Sequence, residues 1–375
     1  MFSRVTITIH SPPHAQQLNM RYIWYEFEYE ELVRATENFG PSKIIGKGSH
    51  GWVFKGKLKN DRLVAVKKPL HDCHEALYDD KNSKLENEIK VLSYLSQAQN
   101  SHPYIISFLG SSHHPADKTK KKQLLVMELM PNGSLHDLLH DKTSTIPPPS
   151  WPKRVEIASQ IARAVQSLHE RRPYWVIHRD IKSANVLFDS NWDTKLADFG
   201  LAVLAEETTT ASQPAGTIGY LDPGYTTPTK LSTKNDVYSF GVVLLEIISG
   251  SKAMDVGRAP ASISEWAVGL IKQGRMEDIC DARISLPGHM VATIRHLLVV
   301  AASCVSIKED CRPSIGEVVF LLGMDNCHFE PGIRNPLLCS SWSWTSLLRR
   351  LVLTRRRRKL AKTWRNYKIS AIGNY

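Results

Sequence analysis

Cysteine is scarce in this chain. The 375 residues hold six, Cys73, Cys280, Cys304, Cys311, Cys327 and Cys339, and none forms a C-x-x-C pair. Scattered thiols exclude a disulfide framework and point to a reducing compartment. The opening residues MFSRVTITIHSPPH lack the apolar core of a signal peptide, and no run approaches the roughly 20 apolar residues of a membrane span. Phe rather than Gly occupies position 2, which excludes N-myristoylation. The expectation is a cytoplasmic protein that neither enters the secretory path nor spans a membrane. Acid is absent from residues 331–375, which carry 11 basic residues between Arg334 and Lys368. The preceding 330 residues balance 37 basic against 37 acidic ones, so the net charge of +11 belongs to the tail. A neutral body argues against nucleic acid as a partner.

What is present is a normal globular composition, 42% hydrophobic, which suffices for a large core. Residues 1–22 are polar and contain proline, as in a flexible lead. Residues 28–38 carry Leu32, Val33 and Ala35 at helical spacing, and 23–39 is read as a helix preceding the main domain. KIIGKGSHGWVFKGKL and RLVAVKKPL are rich in β-branched residues with glycine punctuation, the signature of short strands. Residues 82–97 place Leu85, Ile89, Leu92 and Leu95 on one helical face, and 105–109 and 123–129 are further strand candidates. After PNGS at 131–134 the pattern becomes helical. Residues 153–170 turn Ile157, Ile161, Ala164, Val165 and Leu168 inward; 237–248 is apolar almost all round; 262–272, 290–305 and 314–323 fit further helices. A strand-rich part preceding a helix-rich part predicts an α+β chain of two lobes, about 40–130 and about 131–325, followed by a basic tail, 326–375.

Gly46-Lys47-Gly48-Ser49-His50-Gly51 fits G-x-G-x-x-G. Dinucleotide-binding folds use the same spacing, but there a helix follows, whereas WVFKGKL reads as a strand. A Gly-rich hairpin lets backbone N–H groups approach phosphate oxygens; a hairpin with no ligand is the plain alternative. Val64-Ala65-Val66-Lys67 ends a strand on a lysine, ordinarily a solvated charge. Glu88, beside the apolar stripe of the next helix, is placed to hold it; Glu86 competes from a more outward angle. In HRDIKSAN (178–185), Asp180 can accept a hydroxyl proton, Lys182 can hold phosphoryl charge, and the Asn185 amide oxygen suits a metal ion. Thirteen residues further, Asp198-Phe199-Gly200 offers a second metal ligand on a hinge. A solvated polar loop does not produce this combination by chance.

The ordered set closely resembles the eukaryotic protein kinase family over about residues 40–323. The resemblance implies a bilobal kinase fold, with one main helix in a small β-rich lobe, and a domain over 40–325. It implies ATP and Mg2+ as cofactors, with proteins as substrates. It makes Asp180 the catalytic base, with Lys182 beside it; Lys67 and Glu88 an ion pair; Asn185 and Asp198 the metal ligands. Ile45, Gly46, Gly48, Gly51, Val53, Ala65 and Leu187 would surround the nucleotide, with Met127 as gatekeeper and the backbone of Glu128 and Met130 as hinge. Lys182 two residues after Asp180 resembles serine/threonine kinases. FEYEELVRATENFG, GTIGYLDPGY and STKNDVYSFGVVLLEIISG are similar to plant receptor-like kinases, nearest to the Crinkly-related group. Without ectodomain or membrane span, the chain looks like a receptor-like cytoplasmic kinase, which implies a receptor kinase upstream.

One departure stands out. The family closes its activation segment with A-P-E or D-P-E, and here the sequence is Asp222-Pro223-Gly224. The missing glutamate normally pairs with an arginine, matched here by Arg312; a buried arginine without a partner costs about 3 kcal/mol or more. A scaffold with weak catalysis is therefore the rival expectation. Thr208, Thr209, Thr210 and Ser212 are candidate phosphosites whose phosphate would pair with Arg179. Thr217, in GTIGY, matches the threonine that the family sets against the catalytic aspartate. In the tail, Trp344, Leu347, Leu348 and Leu351 recur at helical spacing beside arginines. An anionic inner membrane surface is the preferred partner, with Cys339 open to acylation. A calmodulin-like partner, a nuclear address in RRRRK and a disordered extension are the alternatives.

Overall fold

Strands come first and helices later. The computed structural model describes residues 7–10, 22–48, 51–69, 75–96, 102–115, 123–141, 143, 145–205, 214–227 and 231–323. β1 (Ile7–His10), β2 (Tyr22–Glu26), α1 (Tyr29–Ala35), β3 (Ile44–Gly48), β4 (Gly51–Lys57), β5 (Leu63–Pro69), α2 (Glu75–Ser96), β6 (Phe108–His113) and β7 (Gln123–Glu128) build the first lobe. Their seven strands form one sheet in the order β1-β2-β6-β7-β5-β4-β3, antiparallel except where β2 meets β6. The second lobe is helical: α3 (Leu135–His140), α4 (Trp151–His169), α5 (Thr233–Ser249), α6 (Ile263–Lys272), α7 (Val291–Cys304) and α8 (Ile315–Gly323). Between α4 and α5 run the short strands β8 (Val176–Ile177), β9 (Val186–Phe188), β10 (Thr194–Leu196) and β11 (Val203–Leu204).

Alternation along β5 sorts the first lobe into two faces. Val64 and Val66, fully buried, turn toward α1 and pack with Leu32, Leu58, Leu124 and Val126. Ala65 and Lys67 turn the other way, with Lys67 opposite Val53 and Leu125, and Ala65 opposite Met127. The second face looks onto α2, whose Leu85, Ile89, Leu92 and Leu95 are all buried in the main core. In the second lobe, α5 is buried without a break from Asn235 to Ser249 and stops at Gly250, which takes the left-handed conformation at φ 64°. Ile157, Ile161, Ala164, Val165 and Leu168 of α4 complete that core.

Three boundaries differ from expectation. Residues 23–39 are not one helix: Tyr22–Glu26 is a strand, and α1 ends at Ala35 because Glu37, Asn38 and Phe39 all adopt positive φ. The Thr36 hydroxyl seals that end, donating to the Leu32 carbonyl at 2.7 Å and accepting from the Phe39 N–H at 3.2 Å. The lead is not wholly irregular, since Ile7–His10 pairs with β2. The strand expected at 105–109 begins at Phe108, and Ile105 instead bridges to Leu196. Thr208, Thr209, Thr210, Ser212 and the tail 326–375 lie outside the described residues.

Candidate active site

Register places the first charged group. β5 carries Lys67 into the cleft face, where its ammonium lies 2.6 Å from Glu88 Oε2 and 3.0 Å from Asp198 Oδ1. All three are nearly sealed from water, with side-chain exposures of 4%, 1% and 11%. Burial alone would lower the Lys67 pKa, but Asp198 and Glu88 reverse this and raise it above the ordinary lysine value. Glu88 follows Leu85 by three positions and precedes Leu92 by four, so it points inward with the apolar stripe; Glu86 is exposed. The other Glu88 oxygen accepts the Phe199 N–H at 3.3 Å, which ties α2 to the segment carrying Asp198.

The second group is the loop between β8 and β9. The Asp180 carboxylate, 4% exposed, accepts the Thr217 hydroxyl at 2.6 Å and the Asn185 amide at 3.0 Å, and lies 2.8 Å from the Lys182 ammonium. Lys182 also donates to Thr217 at 2.9 Å. Turning its amide nitrogen toward Asp180 directs the Asn185 oxygen away from it. That oxygen and the Asp198 carboxylate are donors of the type that a hard divalent cation prefers. Arg179 and Asp198 sit at φ 69° and 64°, a region that L-residues enter at a cost and that clusters at functional sites.

The remaining expected residues sit on or beside β3, β4, β5, β7 and β9. Gly51 is required by packing, because a Cβ there would lie 2.3 Å from the Lys68 carbonyl. Gly46 has nothing within 4 Å of a Cβ position, so the space beside it is open to a ligand. Gly48 ends β3, and Ile45, on the same strand, is 48% exposed. Val53 and Ala65 share the Lys67 face, with Met127 buried opposite Ala65. Leu187 and Met130 pack against the core that contains Met127. Glu128 ends β7, its carboxylate accepting the Ser107 N–H at 2.6 Å and lying 3.3 Å from the Lys195 ammonium.

Arg312 is fully buried, and it is paired. Its guanidinium grips Asp222 through both terminal nitrogens, Nη2 to Oδ1 at 2.7 Å and Nη1 to Oδ2. Its Nε donates to the Ser306 carbonyl at 2.8 Å, and its face stacks on Tyr238 with 5.0 Å between centres. Asp222 also accepts from the Gly224 N–H and the Asn235 amide, each at 2.8 Å. Burial works against its charge, but Arg312, the Gly224 N–H and Asn235 hold its pKa below the ordinary carboxylate value. The acid missing from position 224 is supplied two residues earlier.

Two supporting residues escaped the motif reading. Asn87 donates its amide to the carbonyls of Gly200 and Ala202 at 3.1 and 2.9 Å. Asp236, fully buried near the start of α5, accepts the N–H groups of His178 and Arg179 at 2.8 and 2.9 Å and the His169 ring at 2.8 Å. It thereby fixes the backbone just before Asp180. Helical phase alone could have flagged Asn87 beside Glu88; nothing in spacing announces Asp236.

The family model described as protein kinase domain matches residues 39–319. Serine/threonine-protein kinase-like protein At5g23170 of Arabidopsis thaliana is 47% identical over 356 residues, 90% of this chain and 97% of that protein. Serine/threonine-protein kinase-like protein At1g28390, of the same plant, is 43% identical over 298 residues, 78% of this chain and 61% of its own length. Wall-associated receptor kinase-like 14, also from Arabidopsis thaliana, is 38% identical over 299 residues, and this chain spans 40% of it. Among the described residues no helix is long and apolar enough to cross a membrane.

Proposed function

Because this chain belongs to the protein kinase family, we propose that it transfers the γ-phosphate of ATP to serine and threonine hydroxyls of proteins, in receptor-linked signalling. The observation that carries this reading is the buried Lys67 ammonium between Glu88 and Asp198 at 2.6 and 3.0 Å. Lys67, held charged by its two carboxylates, orients the phosphates. Val53, Ala65 and Leu187 enclose the adenine, and the backbone of Glu128 and Met130 reads its edge beside Met127. Asp180 takes the proton of the attacking hydroxyl, and Lys182, 2.8 Å away, stabilises charge on the transferring group. Asn185 and Asp198 would hold Mg2+, which would supply positive charge beside the phosphates.

The rival reading, an idle scaffold, rests on Gly224. Its physical basis was an unpartnered Arg312, and Asp222 fills that role. Receptor linkage draws on the motif resemblance and on relatives named as receptor kinases; placement in the Crinkly-related subgroup is carried by the resemblance alone. The basic tail is proposed to hold the chain at an anionic membrane surface, and a peptide of residues 336–368 that fails to sediment with anionic vesicles would remove that idea. The decisive test is phosphate transfer by the full chain with ATP and Mg2+, beside Asp180→Asn. Wild-type transfer that Asp180→Asn abolishes supports the reading; a silent wild type overturns it.

A further inference from the structure

A second constellation lies behind the catalytic loop. His136 and His140, four residues apart on α3, and Glu246 of α5 bring three ligand-type atoms within 4.8 Å of one another. The i, i+4 spacing puts both imidazoles on one helical face. Their rings meet edge to face with centroids 4.8 Å apart. His140 Nε2 lies 3.0 Å from Glu246 Oε1. The Ser183 hydroxyl stands 3.4 Å from His136 Nδ1 and 3.2 Å from the same Glu246 oxygen. Tyr220 donates to the other Glu246 oxygen at 2.9 Å.

Glu246 is 0% exposed, yet among the described residues its hydrogen-bond and ion-pair partners are two hydroxyls and an imidazole, with no lysine or arginine. A buried carboxylate supported in this way has room in its charge balance for a cation. We propose that His136, His140 and Glu246 bind a divalent ion of the zinc class, with the Ser183 hydroxyl beside it. Two imidazole nitrogens and one carboxylate oxygen are a zinc donor set; Mg2+ prefers oxygen and is not selected. Ligand bonds of about 2.0–2.2 Å at a tetrahedral ion separate neighbouring donor atoms by roughly 3.3–3.6 Å. The His140–Glu246 pair is already close to that spacing, and His136, the more exposed imidazole, makes up the remainder by ring rotation.

The site touches the machinery without being part of it. Ser183 lies between Lys182 and Asn185, and Tyr220 lies two residues before Asp222. Ion binding therefore draws on contacts that position both the catalytic loop and the end of the activation segment. Binding itself does not depend on whether the chain transfers phosphate.

The test is calorimetric titration of Zn2+ into the full chain in excess Mg2+, beside His136→Ala, His140→Ala and His289→Ala. His289 is exposed and remote in sequence, and serves as the control. The expected result is a zinc equivalent weakened tenfold or more by the first two changes and unaltered by the third, since loss of even a supporting partner costs about tenfold. His136 is half-buried with one long hydrogen bond, so its alanine variant should melt like wild type without metal and lose the zinc-induced rise in Tm. Co2+ at this site should show ligand-field bands without thiolate charge transfer. No zinc binding, variants that bind as wild type does, or a thiolate spectrum that survives His136→Ala would each overturn the proposal.

Discussion

In the cleft, one buried ammonium, Lys67, faces two carboxylates, and a second acid, Asp180, gathers Lys182, Thr217 and Asn185. Beneath the end of the activation segment, one buried guanidinium, Arg312, faces one carboxylate, and carbonyl oxygens take its further donors. Glu88, Asp180 and Asp198 outnumber Lys67 and Lys182, so this group of side chains is left negative. The Asp222–Arg312 pair is neutral and closed. The first arrangement stores unbalanced charge for a ligand; the second spends all its polar capacity on holding the chain in place.

Asp180→Asn separates the two most sharply. It keeps the shape of the side chain but removes the proton acceptor, so phosphate transfer should fall by about 10²–10⁴-fold. The melting temperature should stay close to wild type. A variant that melts far earlier would show that Asp180 also serves as an anchor, and the contrast would fail. Arg312→Ala should do the reverse: it leaves Asp222 buried without its cation and should destabilise the fold by about 3–5 kcal/mol. Chemical denaturation measures it, and a loss below about 1 kcal/mol would mean that the pair is not buried in solution.

The same contrast explains what could be read from sequence. Phosphoryl transfer needs particular residue types at fixed offsets, so Lys67, Asp180, Asn185 and Asp198 announce themselves as motifs. Glu88 was legible because it rides an apolar helical stripe. Support has looser requirements. Any acid within reach can satisfy Arg312, and Asp222 reaches it only because Asp222, Lys234 and Ser306 converge in space. Asp236 lies within STKNDVYSFGVVLLEIISG, but its service to two backbone N–H groups is a role that residue spacing does not reveal. The early end of α1 came from three consecutive left-handed residues, Glu37, Asn38 and Phe39, none of them glycine, so helical periodicity ran past the true boundary.

A second buried arginine tests how general the closed arrangement is. Arg154, 1% exposed, pairs with Asp281, which Arg283 also holds. Burial opposes the Asp281 charge, but Arg283 and Arg154 prevail and hold its pKa at about 2, below its ordinary 3.8. A depressed folded-state pKa stabilises above the unfolded value, and that contribution is lost as pH falls from about 4 toward about 2. It amounts to roughly 2 kcal/mol. Urea melts from pH 6 to pH 2 should therefore show a shallower acid decline in Asp281→Asn than in wild type. Equal slopes would remove Asp281 from the acid response and leave it to groups such as Asp222 and Asp236, whose pKa values are also lowered.

The smallest expected effect bears most directly on catalysis. Gly224→Glu restores the residue that the family pattern places at this position. Gly224 lacks positive φ, but its Cβ would come within 3.2 Å of Asp222 Oδ1, so that carboxylate must give way by a few tenths of an ångström. The new carboxylate would also arrive beside an existing one. Arg312 has both terminal nitrogens on Asp222 and its Nε on Ser306, so it has little left to offer a second acid. Stability should change by less than about 1 kcal/mol, and phosphate transfer by less than about fivefold. In an Asp222→Ala background the same substitution should matter more. Arg312 is then in need of an acid, and the carboxylate introduced at position 224 can provide it, recovering part of the lost stability. A tenfold gain in activity from Gly224→Glu alone would mean that Asp222 holds Arg312 without holding the activation segment, and the closed anchor would have to be reread as a broken one.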